Sequence, residues 1–306
     1  MDSEPKRNYS LPDQILLQPI VAARSSFYYV ALFLLGGTTF GFIAYLVQLR
    51  QGLGVTGLNI PLYWGVYITN FVFFIGISHA GTLISAILRL CEAEWRRSIT
   101  RAAEVITVLV LFFGVGSIIM DLGRPDRLFN VLLHPNFRSP LLWDVCSISV
   151  YLTGSTIYLY LPLIPDMAIL RDHGRKYVWF YRLLALGWQG TERQKHLLHR
   201  AISIMAVLVI PIAVSVHTVV SWVFGMTVQP MWHSTIFGPY FVVGAIFSGI
   251  ASIIIAMALI RRIYGLQNYL KPIHFNNLGL LLLVMALLWF YFTFAEYLTT
   301  FYGGDP

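Results

Sequence analysis

Seven stretches of the chain are apolar for long enough to cross a bilayer, and each is closed by a polar connector. They cover about 26–48, 62–90, 101–122, 141–163, 201–224, 235–260 and 278–300. A helix needs about 20 such residues to span the hydrocarbon core. The runs are continuous rather than alternating, which excludes a transmembrane β-barrel. The pattern therefore predicts an all-α integral membrane protein with about seven transmembrane helices. The chain opens with a charged and polar stretch, and no small-residue cleavage site follows the first run. No cleavable signal peptide is expected.

Composition agrees with this reading. Of the 306 residues, 57% are hydrophobic and 11% are charged, against about 25% charged in a soluble domain. The net charge is +7, and its distribution matters more than its size. With the N-terminus in the cytoplasm, seventeen of the 21 basic residues fall on inner segments. Only Arg50, Arg124, Arg127 and Arg138 fall outside. The positive-inside rule therefore orients the bundle with its N-terminus cytoplasmic. No basic stripe with interleaved aromatics points to nucleic acid.

This orientation puts the connector from Asp121 to Asp144 on the outer face. It gathers Asp121, Arg124, Asp126, Arg127, His134 and Asp144 between two apolar runs. Ionisable groups at a span end are costly and mark a site. A carboxylate in a low-dielectric pocket can cycle a proton near neutrality, and Arg124 is placed to orient Asp121. The alternative is structural: Asp144 caps the first turn of span four, and Gly123-Arg-Pro125 is a helix stop. His217, His233 and Glu296 fall at the same outer level, with His79 deeper in span two. His79 and Glu296 are candidates for a proton path, or an interhelical hydrogen bond and an interfacial carboxylate respectively. Glu104 is expected in solvent, or paired with Arg101 or Arg97.

The chemistry has limits. Cys91 and Cys146 are far apart, too few for an iron–sulfur cluster or a zinc site. His79, His217 and His233 do not make the two layered pairs that a di-haem bundle needs. No metal site, haem or cluster is expected on this chain. The inner segment from Asp166 to Arg200 is the longest connector and is rich in Arg and Lys. It is either a docking surface for a subunit or anionic lipid, or an amphipathic interfacial helix with topogenic charge.

A shift of 173 residues aligns Gly65 with Gly238, Tyr67 with Tyr240, Gly76 with Gly249 and Arg89 with Arg262. Spans two to five would then form one four-helix bundle, with spans six and seven part of a second. The expected organisation is an N-terminal segment (1–25), a peripheral first helix (26–61), the first bundle with the site (62–226), and an incomplete second bundle (227–306). The closing Phe301-Tyr-Gly-Gly-Asp-Pro306 is a turn directly after a span, so a longer natural protein is expected.

Several motifs together, Ile77-Ser-His-Ala-Gly-Thr82, Leu122-Gly-Arg-Pro125, Ser139-Pro-Leu-Leu-Trp-Asp144, Ser215-Val-His217 and Trp232-His-Ser-Thr-Ile-Phe237, carry a resemblance. With Gly244-Ala-Ile-Phe-Ser-Gly249, the chain resembles the NrfD/PsrC family of quinone-binding membrane subunits. Its nearest likeness is to the ActC type of alternative complex III. The resemblance implies a haem-free subunit beside an iron–sulfur protein on the outer face, c-type haem subunits, and a second NrfD-like subunit. It implies that menaquinol, or another quinol, is oxidised near Asp144, Asp121 and Arg124, with His217 and His233 as further lining. Asp121 stands where ActC-like sequences carry histidine. The alternatives are a quinone-reducing anchor of a polysulfide-reductase-like molybdoenzyme, or a non-redox transporter or assembly anchor.

Overall fold

A computed structural model describes residues 25–58, 64–173, 177–226 and 234–304. Among these residues there are nine α-helices and no strand. They are α1 (Ser25–Gln51), α2 (Val66–Leu90), α3 (Thr100–Asp121), the single turn α4 (Asn130–Leu133) and α5 (Pro140–His173). After them come α6 (Val178–Leu184), α7 (Glu192–Gly225), α8 (Phe237–Ile263) and α9 (Pro272–Gly303). All but α4 and α6 are long and apolar enough to cross a membrane, which gives the seven spans expected.

Two helices outrun their apolar runs. Helix α5 continues to His173, and α7 begins at Glu192. Most of the segment read from the sequence as the longest connector is therefore helix. Hydropathy marks where lipid ends, but charged residues still propagate a helix. A capping box starts α7: the Gln194 amide donates to Thr191 Oγ1 (3.3 Å), and the Thr191 amide donates to Gln194 Oε1 (3.4 Å). Pro162 and Pro165 lie within α5.

Helices α2, α3, α5 and α7 pack as a four-helix bundle. Phe71, Ile75, Leu111, Tyr151 and Val216 fill one half of its interior, and Ala86, Tyr158, Ala206 and Val209 the other. Small residues set the closest approaches. A Cβ on Gly81 would land on Thr107 Oγ1 and the Ala103 carbonyl, so α2 and α3 meet there nearly backbone to backbone. Thr107 Oγ1 donates across that contact to the Ser78 carbonyl at 2.9 Å.

Helix α8 packs on α2, and α9 packs on α8. The repeat-related glycines Gly76 and Gly249 both sit in the α2–α8 contact. A Cβ on Gly76 would meet Ala245 and Ser248, and one on Gly249 would land on Ala80. Helix α1 stands apart, with its apolar window wholly exposed, but Gln48 at its end is buried. Gln48 Nε2 donates to the Met120 carbonyl (2.9 Å), and the Tyr67 hydroxyl donates to Gln48 Oε1 (2.5 Å).

Candidate functional site

Asp121 is the last residue of α3. Gly123 then turns the chain with φ +62°, a conformation glycine adopts without a side-chain clash, and packs on Leu53. Pro125 opens a short 3₁₀ turn. Asp144 lies more than a turn inside α5, past its Pro140 start. It therefore does not cap that helix, and the structural alternative for Asp144 falls away. Both residues lie at the same end of the antiparallel bundle. One oxygen of each, Asp121 Oδ1 and Asp144 Oδ1, is buried and has no hydrogen-bond partner among the described residues.

Arg124 does not reach Asp121. Its Nη2 donates to Asp126 Oδ2 at 3.0 Å and its Nε to Asp126 Oδ1 at 3.3 Å. The turn at Gly123 puts Arg124 in solvent, two residues from its partner. The hydrogen bond from Arg124 holds the Asp126 carboxyl below the usual carboxylate range. Gln48 and Tyr67, which tether α1 beside Met120, stand next to this end and were missed from the sequence. A glutamine at a span end reads there only as a boundary.

The structure unites two histidines that sequence alone placed at different depths. His79 on α2 and His217 on α7 are both fully buried, with ring centroids 3.9 Å apart. His217 Nδ1 lies 3.1 Å from the Ala213 carbonyl, and Nε2 lies 3.1 Å from the Ile75 carbonyl. A neutral imidazole donates from one nitrogen only, so one carbonyl is always left facing a lone pair; the doubly protonated ring would donate to both. Both nitrogens of His79 lack a hydrogen-bond partner among the described residues. Tyr151, one face of α5 below Asp144, has its ring 6.2 Å from that of His217. Seven residues separate Asp144 from Tyr151, or about 10 Å at ~1.5 Å per residue. His217 therefore sits about two turns below the carboxylates, rather than level with them.

Below the histidines the interior stays polar. The Tyr151 hydroxyl lies beside Ser78, Thr82 and Ser155, none within strict hydrogen-bond geometry. Ser85 Oγ donates to Glu104 Oε1 at 2.5 Å and lies 3.3 Å from the Tyr158 hydroxyl. Glu104 is thus buried, not in solvent, and Arg101 reaches Asp166 (3.6 Å) instead. Glu104 is 5% exposed, packed between α2 and α5.

Two other expected residues lie elsewhere. Glu296 accepts from Ser234 Oγ at 2.7 Å, on α9, which packs on α8 outside the four-helix bundle. His233 lies outside the described residues.

The family model described as polysulphide reductase, NrfD, matches residues 54–302. A Halobacterium salinarum protein, named as a candidate membrane subunit of a dimethyl sulfoxide reductase, is 29% identical over 72% of this chain and 49% of its own length. A selenate reductase subunit of Mesobacillus selenatarsenatis is 26% identical, over 69% of this chain and 51% of its own. The Hdr-like menaquinol oxidoreductase integral membrane subunit of Archaeoglobus fulgidus is 24% identical, over 70% and 46%. The chain spans about half the length of the curated relatives it matches.

Proposed function

Because the chain belongs to the polysulphide reductase NrfD family, we propose that it is the quinol-oxidising membrane subunit of a multi-subunit electron-transfer complex. The observation that carries this reading is the pair Asp121 and Asp144. Each presents a buried oxygen without a hydrogen-bond partner among the described residues, at one end of an apolar bundle. A buried polar atom without a partner costs ~1–3 kcal/mol, so its retention supports a ligand. A hydroquinone hydroxyl is a donor that fits either oxygen.

The substrate supplies two electrons and two protons as it becomes quinone. Asp144 and Asp121, when ionised, accept the hydroxyl protons. The apolar faces of α3 and α5 beside them hold the ring and exclude water. His217 and His79 lie one step deeper, where a proton can be taken on from the carboxylate end. The electrons pass to a partner protein, since two separate cysteines are fewer than the roughly four thiolates of a cluster.

The names of the relatives support the direction. Reductases of dimethyl sulfoxide and selenate consume electrons, and the third relative is a menaquinol oxidoreductase. Menaquinol is accordingly the favoured donor class. The ActC-type partner set is an iron–sulfur protein, c-type haem subunits and a second NrfD-like subunit on a bacterial inner membrane. A molybdopterin reductase is the other set. Mild purification of the tagged chain with its partners separates them by haem and molybdenum content.

The central test is Asp144→Asn in the intact complex. Quinol oxidation is expected to fall by about 10²-fold or more with assembly unchanged. Unchanged turnover in an assembled variant would remove the site.

A further inference from the structure

At the end of the bundle opposite Asp144, the helices enclose a cavity of about 760 Å³. That volume is in the range of sites for small molecules, about 300–1,000 Å³. Its lining carries five cations, Arg89, Arg96, Arg101, Arg171 and Lys195, against two carboxylates, Glu104 and Asp172.

Of the two carboxylates, Asp172 is bound by Arg171 at 2.7 Å, while Glu104 accepts from Ser85 through Oε1 and its Oε2 has no hydrogen-bond partner among the described residues. Lys195 pairs with Glu192 at 2.7 Å and Arg101 with Asp166. Arg89 contacts His199 Nδ1 at 3.4 Å, which offers no negative charge. Arg96 Nε and Arg101 Nη1 are buried without a hydrogen-bond partner among the described residues. Buried guanidinium donors of this kind match a tetrahedral phosphate, whose oxygens accept in pairs.

The remaining walls are apolar: Pro162, Pro165, Ile169, Leu198 and Ile202. Trp188, just after α6, also lines the cavity. Helix α6 itself presents Trp179, Phe180 and Leu183 to the outside, with Tyr177 before it. An exposed aromatic helix of this composition lies at the boundary between lipid and water. The cavity therefore opens at headgroup level, with a cationic floor and an apolar flank.

We infer that this cavity holds the phosphodiester headgroup of an anionic phospholipid, gripped by Arg89 and Arg96, with its acyl chains leaving along α5 and α7. Basic pockets between transmembrane helices take such headgroups. The site is separate from the carboxylate end and stands whether or not the quinol reading holds.

The experiment uses the full chain, delipidated in neutral detergent, with thermal denaturation as readout. Phosphatidylglycerol is expected to raise Tm saturably. Phosphatidylcholine and inorganic phosphate at the same concentration are expected to leave it unchanged. The double variant R89Q/R96Q should need at least tenfold more phosphatidylglycerol for the same rise. R261Q/R262Q, on a basic segment outside the cavity, should respond as the parent does. An equal rise with phosphatidylcholine, or an unaltered response in R89Q/R96Q, overturns the proposal. A full response to inorganic phosphate alone overturns the lipid as occupant. If the double variant does not fold, Arg96→Gln replaces it, and native mass spectrometry counts the anionic lipid retained. Equal retention by parent and variant is then the overturning result.

Discussion

His79 and His217 face each other across the α2–α7 contact with ring centroids 3.9 Å apart, yet only His217 has acceptors at its nitrogens. The two rings therefore contribute differently to the fold. Replacing His217 by Leu removes a hydrogen bond inside the bundle and is expected to cost ~1–3 kcal/mol. Replacing His79 by Leu removes two unsatisfied polar atoms and is expected to leave stability unchanged or raised. If His79 serves as a proton station, its Leu variant loses quinol turnover while keeping its Tm. Thermal denaturation and turnover on the same two variants check both halves.

At the carboxylate end the geometry separates Asp121 from Arg124. Asp121→Asn is expected to lower quinol turnover by about 10-fold or more, since a half-buried carboxylate is exchanged for an amide that cannot take a proton. Arg124→Gln is expected to change it less than about twofold, because Arg124 serves an exposed pair with Asp126. Steady-state quinol oxidation by the intact complex decides between them. A large loss in Arg124→Gln would restore Arg124 to the site.

The Arg124–Asp126 pair has its own signature. The lowered Asp126 carboxyl is ionised in the native state at neutral pH, so any stability from the pair is present there. It is lost as pH falls through the depressed native value, below the ordinary 3.8. Both side chains are exposed, so added salt should screen the pair. Chemical-shift titration of Asp126 in Arg124→Gln is expected to show its carboxyl returning upward.

Helix spacing gives a fourth prediction. Gly81→Val drives a branched side chain into Thr107 and the Ala103 carbonyl, and is expected to prevent recovery of folded protein. Gly116, inside α3, has open space at its Cβ position, so Gly116→Ala is expected to fold normally. Size-exclusion profiles of the two variants provide the comparison.

The spans were legible because lipid imposes long apolar runs, and their antiparallel order followed from alternation. Asp121 and Asp144 stood out because a carboxylate at a span end is rare. The pairing of His79 with His217 was not legible. Nothing in Ser78-His-Ala-Gly81 or Val216-His-Thr218 states which helix lies opposite. The level of His217 was also not legible: it lies eight residues, or about two turns, before the α7 end at Gly225, and the depth of its ring follows from packing beside His79 and Tyr151. Glu104 looked like a boundary charge, and only the packing of Ser85 and Tyr158 around it reveals burial. The faint repeat pointed to Gly76 and Gly249, but not to the contact between α2 and α8 in which both are found.

Pro162 and Pro165 have a mechanical consequence. Each removes a backbone donor, so two rungs of the α5 ladder are missing within one turn. The residues beyond are steered from outside the helix: Asp166 by Arg101, and Arg171 by the Trp188 carbonyl at 3.1 Å. The last turns of α5 are thus anchored by contacts from α3 and from the segment after α6, and not by its own ladder alone, while Asp144 and Tyr151 stand on the unbroken stretch before Pro162.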